Sequence, residues 1–336
     1  MKKIKYILPL LLTVVLLFFA FRQISWKEML NSFGKANYFW IVVSGILGLM
    51  SHLSRAYRWN LLLKSIGHSP TLAQSFWAVM SGYFMNFLFI RAGEITRCGA
   101  LERMADVPID KGFGTVLLER LIDLMMTAVL ILILLVLELD HFRFLLMQFF
   151  GIRLKTLLPF VLIGVILMVV SVFLMWRMYL RRDKIRHWKV YQKFRQIGRN
   201  VLIGLTSIRA VPQQFQFWFH TCLIWFLYYL MGYVLFFCFI ETENLDAWFG
   251  YILLVTGTIG MSAPVQGGFG AYHLLVGTIF GLRNMSAEQG LILATFMHTV
   301  QTIFLILFGG LSILMVSQSW FNKKKHLDVE HQELSN

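Results

Sequence analysis

Apolar runs of membrane-spanning length alternate with short polar breaks along this chain. The continuous runs lie at about 4–21, 38–60, 72–90, 113–138, 157–176, 216–240, 247–262 and 287–316. Most approach the roughly 20 apolar residues that carry a helix through about 30 Å of hydrocarbon. A further piece, 271–282, reaches only about 20 Å as a helix and is too short to cross. Continuous apolar runs of this kind form helices that satisfy their own backbone groups. The pattern therefore predicts an all-α polytopic membrane protein.

Two polar breaks stand at matching places in the two halves: Arg91-Ala92-Gly93-Glu94-Ile95-Thr96-Arg97 and Pro264-Val265-Gln266-Gly267-Gly268-Phe269-Gly270. Paired interruptions of this kind mark the substrate site of many transporters. They also decide the topology. If all eight long runs cross from an inside N-terminus, residues 177–215, with ten Lys and Arg, fall outside. That contradicts the positive-inside rule. Reading 72–105 and 247–282 as re-entrant hairpins of opposite orientation instead places both tails and most of the 31 Lys and Arg inside. The expectation is six spanning helices plus two hairpins in an inverted repeat, with both termini on the cytoplasmic face of a cytoplasmic (inner) membrane. Residues 1–320 then form one integral membrane domain with halves at about 38–176 and 216–316. A basic segment, 177–215, joins them, and a polar cytoplasmic tail, 321–336, follows. Within the joining segment, Trp188, Tyr191, Phe194, Val201 and Leu205 recur at helical spacing among Lys and Arg. This predicts an amphipathic helix over 185–209 lying on anionic inner-leaflet lipid.

Composition supports the membrane reading. Mean hydropathy is +0.67, and 14% of residues are charged, against about a quarter in soluble domains. The net charge of +14 raises nucleic acid as a partner. The basic residues sit between apolar runs, so they serve orientation and anionic lipid instead. Cys98, Cys222 and Cys238 have no disulfide or zinc spacing. The N-terminus (Lys2, Lys3, Lys5, then an apolar stretch to Phe21) resembles a signal peptide without a small-x-small cleavage site, and reads as an uncleaved first span.

The candidate chemistry lies in and around the breaks. Arg91, Glu94 and Arg97 share a face if their segment is helical. Arginines there can fork a phosphate, and Glu94 can neutralise one when the site is empty. Glu119, Arg120 and Asp123 begin the next apolar run; charges inside a span are costly and are paired or line a wet cavity. Across the bundle they are expected to meet the first hairpin, either as a structural ion-pair lock or in direct contact with substrate. The second break offers Gln266, Gly267, Gly268, Gly270 and His273, with free N–H groups at the following helix start as an anion site. Weaker candidates are His52, Arg55 and Arg58, with the arginines read as snorkelling to head groups, and His298 with Gln301 on the last span. His220 is read as interfacial. No Walker motif, Gly-x-Ser-x-Gly or metal-spaced His/Cys set is present, so no cofactor, metal or catalytic residue is assigned.

"RAGEITR", "LLERLID" and "PVQGGFGAYH", in this order, resemble the flippase-like family of the lysylphosphatidylglycerol synthase transmembrane region, over about residues 5–320. The family's Gly-Glu-x-x-Arg element matches Gly93, Glu94 and Arg97, and its Glu-Arg-x-x-Asp element matches Glu119, Arg120 and Asp123. Its Pro-x-Pro-Gly-Gly-x-Gly-x-x-Glu element matches Pro264, Gly267, Gly268 and Gly270. Gln266 replaces its second proline and His273 its final glutamate, so a carboxylate is lost there. The resemblance implies similarity to the membrane half of the multiple-peptide-resistance factor, which moves aminoacylated phosphatidylglycerol between leaflets. In such relatives a soluble C-terminal domain performs lysyl transfer. This chain ends at Asn336 without one, and no transferase activity is expected. The implied function is translocation of an anionic or glycosylated lipid. An integral-membrane enzyme acting on head groups and a non-transporting envelope-assembly partner are the alternatives.

Overall fold

The computed structural model describes residues 26–89, 91–137 and 210–335. The expected spans at 4–21 and 157–176 and the amphipathic segment 185–209 lie outside these residues. Every regular element among the described residues is helical. A short helix α1 (Trp26–Gly34) leads into α2 (Tyr38–Ser65), whose first turn is capped by the Asn37 side chain. Next come α3 (Leu72–Leu88), α4 (Gly93–Ala105) and α5 (Ile109–Leu137). The second part holds α6 (Gln214–Tyr233) with a 3-10 extension Val234–Cys238, α7 (Ala247–Ser262), α8 (Ala271–Ile279) and α9 (Ala287–Ser335).

The order repeats: long helix, hairpin of two shorter helices, long helix. Among the described residues, four stretches are long and apolar enough to cross a membrane, at 38–65, 109–137, 214–238 and 287–321. The runs at 72–90 and 247–262 instead form helices of 17 and 16 residues. At 1.5 Å per residue these reach about 25 Å. Each ends at its polar break, and the chain turns back.

The turns follow from local chemistry. Thr71 and Gln74 form a reciprocal capping box that starts α3. Asp106, in the left-handed conformation, ends α4, and Ser286 with Gln289 caps the start of α9. Backbone contact holds the hairpins shut. A Cβ on Gly93 would lie 2.0 Å from the Gly82 carbonyl oxygen, and one on Gly260 2.8 Å from the Tyr272 Cα. Little hydrophobic drive exists between helices in lipid, so such close approach between small residues supplies much of the cohesion.

The two parts interlock. The helix α2 runs along α6, with Ser44 Oγ donating to the Met231 carbonyl at 2.9 Å. Phe84 of α3 packs on Gly309 of α9, and Tyr251 of α7 donates to the Leu130 carbonyl of α5 at 2.6 Å. The hairpin tips touch. Gln266 Nε2 donates to the carbonyls of Phe87 (3.2 Å) and Leu88 (2.6 Å), and the Phe87 and Phe269 rings lie 6.0 Å apart. One apolar core, built around Phe236, Phe249, Tyr272 and Phe280, serves the second part. Another, around Trp59, Val79, Leu101 and Val116, surrounds the first hairpin.

Candidate functional site

Three helices bring charge together in the first part. Arg55 and Arg58 lie one turn apart on α2, Arg97 on α4, and Glu119 with Asp123 one turn apart on α5, each pair on one face. Glu119 is fully buried and accepts from three arginines. Arg55 reaches it at 2.7 Å and Arg58 at 3.1 Å, both on Oε1, while Arg97 binds Oε2. Asp123 accepts from the same Arg55 at 2.7 Å and Arg58 at 2.9 Å. Each α2 arginine therefore bridges two carboxylates. Arg55 also donates to Tyr228 Oη of α6 at 3.2 Å, and the Arg97 guanidinium sits 4.2 Å from the Trp59 ring centre. Removing such ions from water costs several kcal/mol each, and dense pairing offsets it.

Arg120 is held differently. It lies 3.5 Å from Glu94 and 3.7 Å from Asp123, and its side chain is 37% exposed. The cluster thus counts four arginines against three carboxylates, an excess of one positive charge. Beside it is a cavity of about 10 Å³ lined by Val79, Gly82, Tyr83, Asn86, Gly93, Arg97 and Arg120. That is the room of a single water. Asn86 Oδ1 accepts from Gly93 N–H at 2.8 Å and so caps the start of α4.

The second tip is a separate cluster. Gly267, Gly268 and Gly270 all have positive φ, a conformation open to glycine that lets the chain reverse between α7 and α8. The Gly270 N–H donates to His273 Nδ1 at 3.1 Å, so that nitrogen carries no proton. His298 Nε2 lies 2.9 Å from the Gly267 carbonyl and must donate to it. The two imidazole rings are 4.8 Å apart. Gln301 is half-buried one turn beyond His298.

The sequence-based site is thus partly gathered. Glu94, Arg97, Glu119, Arg120 and Asp123 join as expected, with Arg55. Gln266, Gly267, Gly268, Gly270, His273 and His298 form the second group, and Gln266 alone reaches across to the first hairpin. The expected shared face fails at Arg91, which lies before α4 in an exposed left-handed turn (φ 57). Snorkelling of Arg55 and Arg58 is also wrong. Both are buried, because α5 presents two carboxylates opposite them. Glu94 pairs with Arg120 rather than with an arginine of its own hairpin. His52 stacks on Tyr83 at 4.6 Å, and His220 lies 2.8 Å from Ser54 Oγ. Trp59, Tyr83, Asn86 and Tyr228 were not anticipated. Arginine at i and i+3 next to a tryptophan inside an apolar run was the available signal for Trp59.

Residues 6–309 match the family described as the lysylphosphatidylglycerol synthase TM region. The chain belongs to that family. The matched region covers both hairpins and the charged cluster. A UPF0104 membrane protein of Methanocaldococcus jannaschii is 26% identical over 87 residues, which is 25% of this chain and 26% of that protein. The match thus spans about a quarter of the length of that relative. No solved structure matches the chain. A multi-pass membrane protein of this family is the level at which comparison and structure agree.

Proposed function

We propose that this protein moves an anionic or glycosylated lipid between leaflets of the bacterial inner membrane, its head group passing between two re-entrant hairpins while the acyl chains stay in the bilayer. The observation that carries this reading is the buried charge cluster. Four arginines and three carboxylates lie within an otherwise apolar bundle, beside a small polar cavity, and the tip of the second hairpin closes onto the first. Ionisable groups at membrane depth are costly, and they recur along substrate and ion pathways. The repeated order of long helix, hairpin and long helix supports an inverted repeat whose hairpins enter from opposite leaflets. Tip-to-tip contact fits a closed state, and parting of the tips gives alternating access.

An enzymatic role for the buried carboxylates is less well supported. Glu119 already accepts from three guanidinium groups, so its carboxylate oxygens are committed to ion pairs. His273 Nδ1 is committed to a backbone N–H.

Deletion of the gene in its host tests the reading. The lipid inventory by mass spectrometry should be unchanged, while surface labelling reports altered exposure of one anionic or glycosylated lipid. A missing lipid species with normal exposure of the rest would instead assign head-group chemistry.

A further inference from the structure

The ion pairs of the cluster fall into two classes. Arg55, Arg58 and Arg97 are buried and hold Glu119 and Asp123 through close contacts, 2.7–3.1 Å where they involve the α2 arginines. Among the described residues Arg120 has only the two longest, at 3.5 and 3.7 Å. Neither satisfies its guanidinium, for Arg120 Nε is buried without a hydrogen bond among the described residues. The partner is equally ill-served: Glu94 Oε2 is buried and accepts no hydrogen bond among the described residues. A charged donor and a charged acceptor left in this condition cost free energy that a better-matched group would recover.

The surroundings point to an anion. Arg97 is 2% exposed, and its unbonded Nε belongs to a side chain that lines the same cavity as Arg120. The amino end of α4 opens there, carrying the positive end of the helix dipole. Gly82 and Gly93 also line that cavity. We propose that Arg120, Arg97, Asn86 and the start of α4 form a phosphate site whose place Glu94 takes in this closed arrangement. The ligand is a phosphate group, either of a lipid head group or free, and it binds by displacing the Glu94 carboxylate from Arg120. A cavity of about 10 Å³ is too small for a phosphate, so binding requires its lining to open as Arg120 leaves Glu94. The assignment of the lipid as source rests on the translocator reading; the site itself does not.

The full-length protein in detergent is titrated calorimetrically with inorganic phosphate and, separately, with water-soluble dihexanoyl phosphatidylglycerol. Glu94→Ala removes the competing carboxylate and should tighten binding by about five-fold. Glu102→Ala, which deletes the same charge from the exposed side of the same helix, should leave it unchanged. Arg120→Gln should abolish it. Because the decisive result is a gain of affinity, a misfolded variant cannot imitate it. Equal tightening by Glu102→Ala, no tightening by Glu94→Ala, or wild-type binding by Arg120→Gln overturns the site. Response to both probes identifies a lipid head group, and response to phosphate alone identifies the free ion; either supports the site. Lipid movement measured in vesicles with the same variants separates the two claims. The binding pattern without movement defeats only the translocator reading, and movement without the pattern defeats only the site.

Discussion

Glu119→Gln is the sharpest perturbation of the charge cluster. The side chain keeps its shape and loses its charge. In the native protein Glu119 takes hydrogen bonds from Arg55, Arg58 and Arg97, and it is fully buried with all three. The amide retains one oxygen acceptor and gains two donors, which meet a guanidinium that can only donate. Arg55 and Arg58 keep Asp123, so their loss is partial. Arg97 keeps no carboxylate, only the face of Trp59. Breaking a buried pair by removing one partner costs about 3–5 kcal/mol, and the burden here falls on a single guanidinium with two others weakened. Thermal unfolding in detergent should therefore fall by roughly 5 °C or more. Arg97→Gln on its own should cost a comparable amount, whereas the double variant should be less harmed than the two singles combined, by at least about 1.5 kcal/mol of coupling. A Glu119→Gln protein within about 1 kcal/mol of wild type, or a double variant with strictly additive losses, would refute the view that this cluster is a mutually dependent unit.

Three further outcomes follow from the packing. Gly93→Ala places a methyl 2.0 Å from the Gly82 carbonyl oxygen and should destabilise by about 3 kcal/mol or more, whereas Gly99→Ala, with open space around it, should be neutral or stabilising by about 0.5–1 kcal/mol; melting of both variants checks this. Trp59→Phe loses the hydrogen bond to Thr115 Oγ1 (2.9 Å) and the broader ring beneath Arg97, for about 1–3 kcal/mol in the same assay. Gln266→Ala removes both hydrogen bonds between the tips, so hydrogen exchange should quicken around residues 85–92 and 264–270 and stay as it was in α6.

Much of this was legible in the chain, for identifiable reasons. The long helices stood out because their apolar content matches bilayer thickness. The hairpins stood out because Arg91–Arg97 and Pro264–Gly270 interrupt apolar runs that would otherwise read as spans. Meeting of the first hairpin with Glu119 and Asp123 was foreseeable from charge alone, since buried carboxylates need partners. The partners on α2 were misjudged. Arg55 and Arg58 sit near the end of an apolar run, and from one dimension a snorkelling arginine and a bundle-facing arginine look alike. Only the rotation of α2 against α5 separates them. Arg91 was over-read because helical spacing was carried across a residue that precedes the helix. Tip-to-tip contact through Gln266 depends on how two distant hairpins approach, which no local pattern encodes.

The central claim is that lipid passes where the two hairpin tips meet. It is tested by a Leu88→Cys/Gln266→Cys protein, with the exposed Cys222 replaced by serine, reconstituted in vesicles that carry labelled anionic phospholipid or labelled lipid-linked sugar in one leaflet. Before cross-linking, one such lipid should cross faster than in protein-free vesicles; after a short bifunctional maleimide ties the tips together, crossing should fall to the protein-free rate. Crossing that never exceeds the protein-free rate for any lipid tried, or that persists undiminished with the tips tied, would contradict the account.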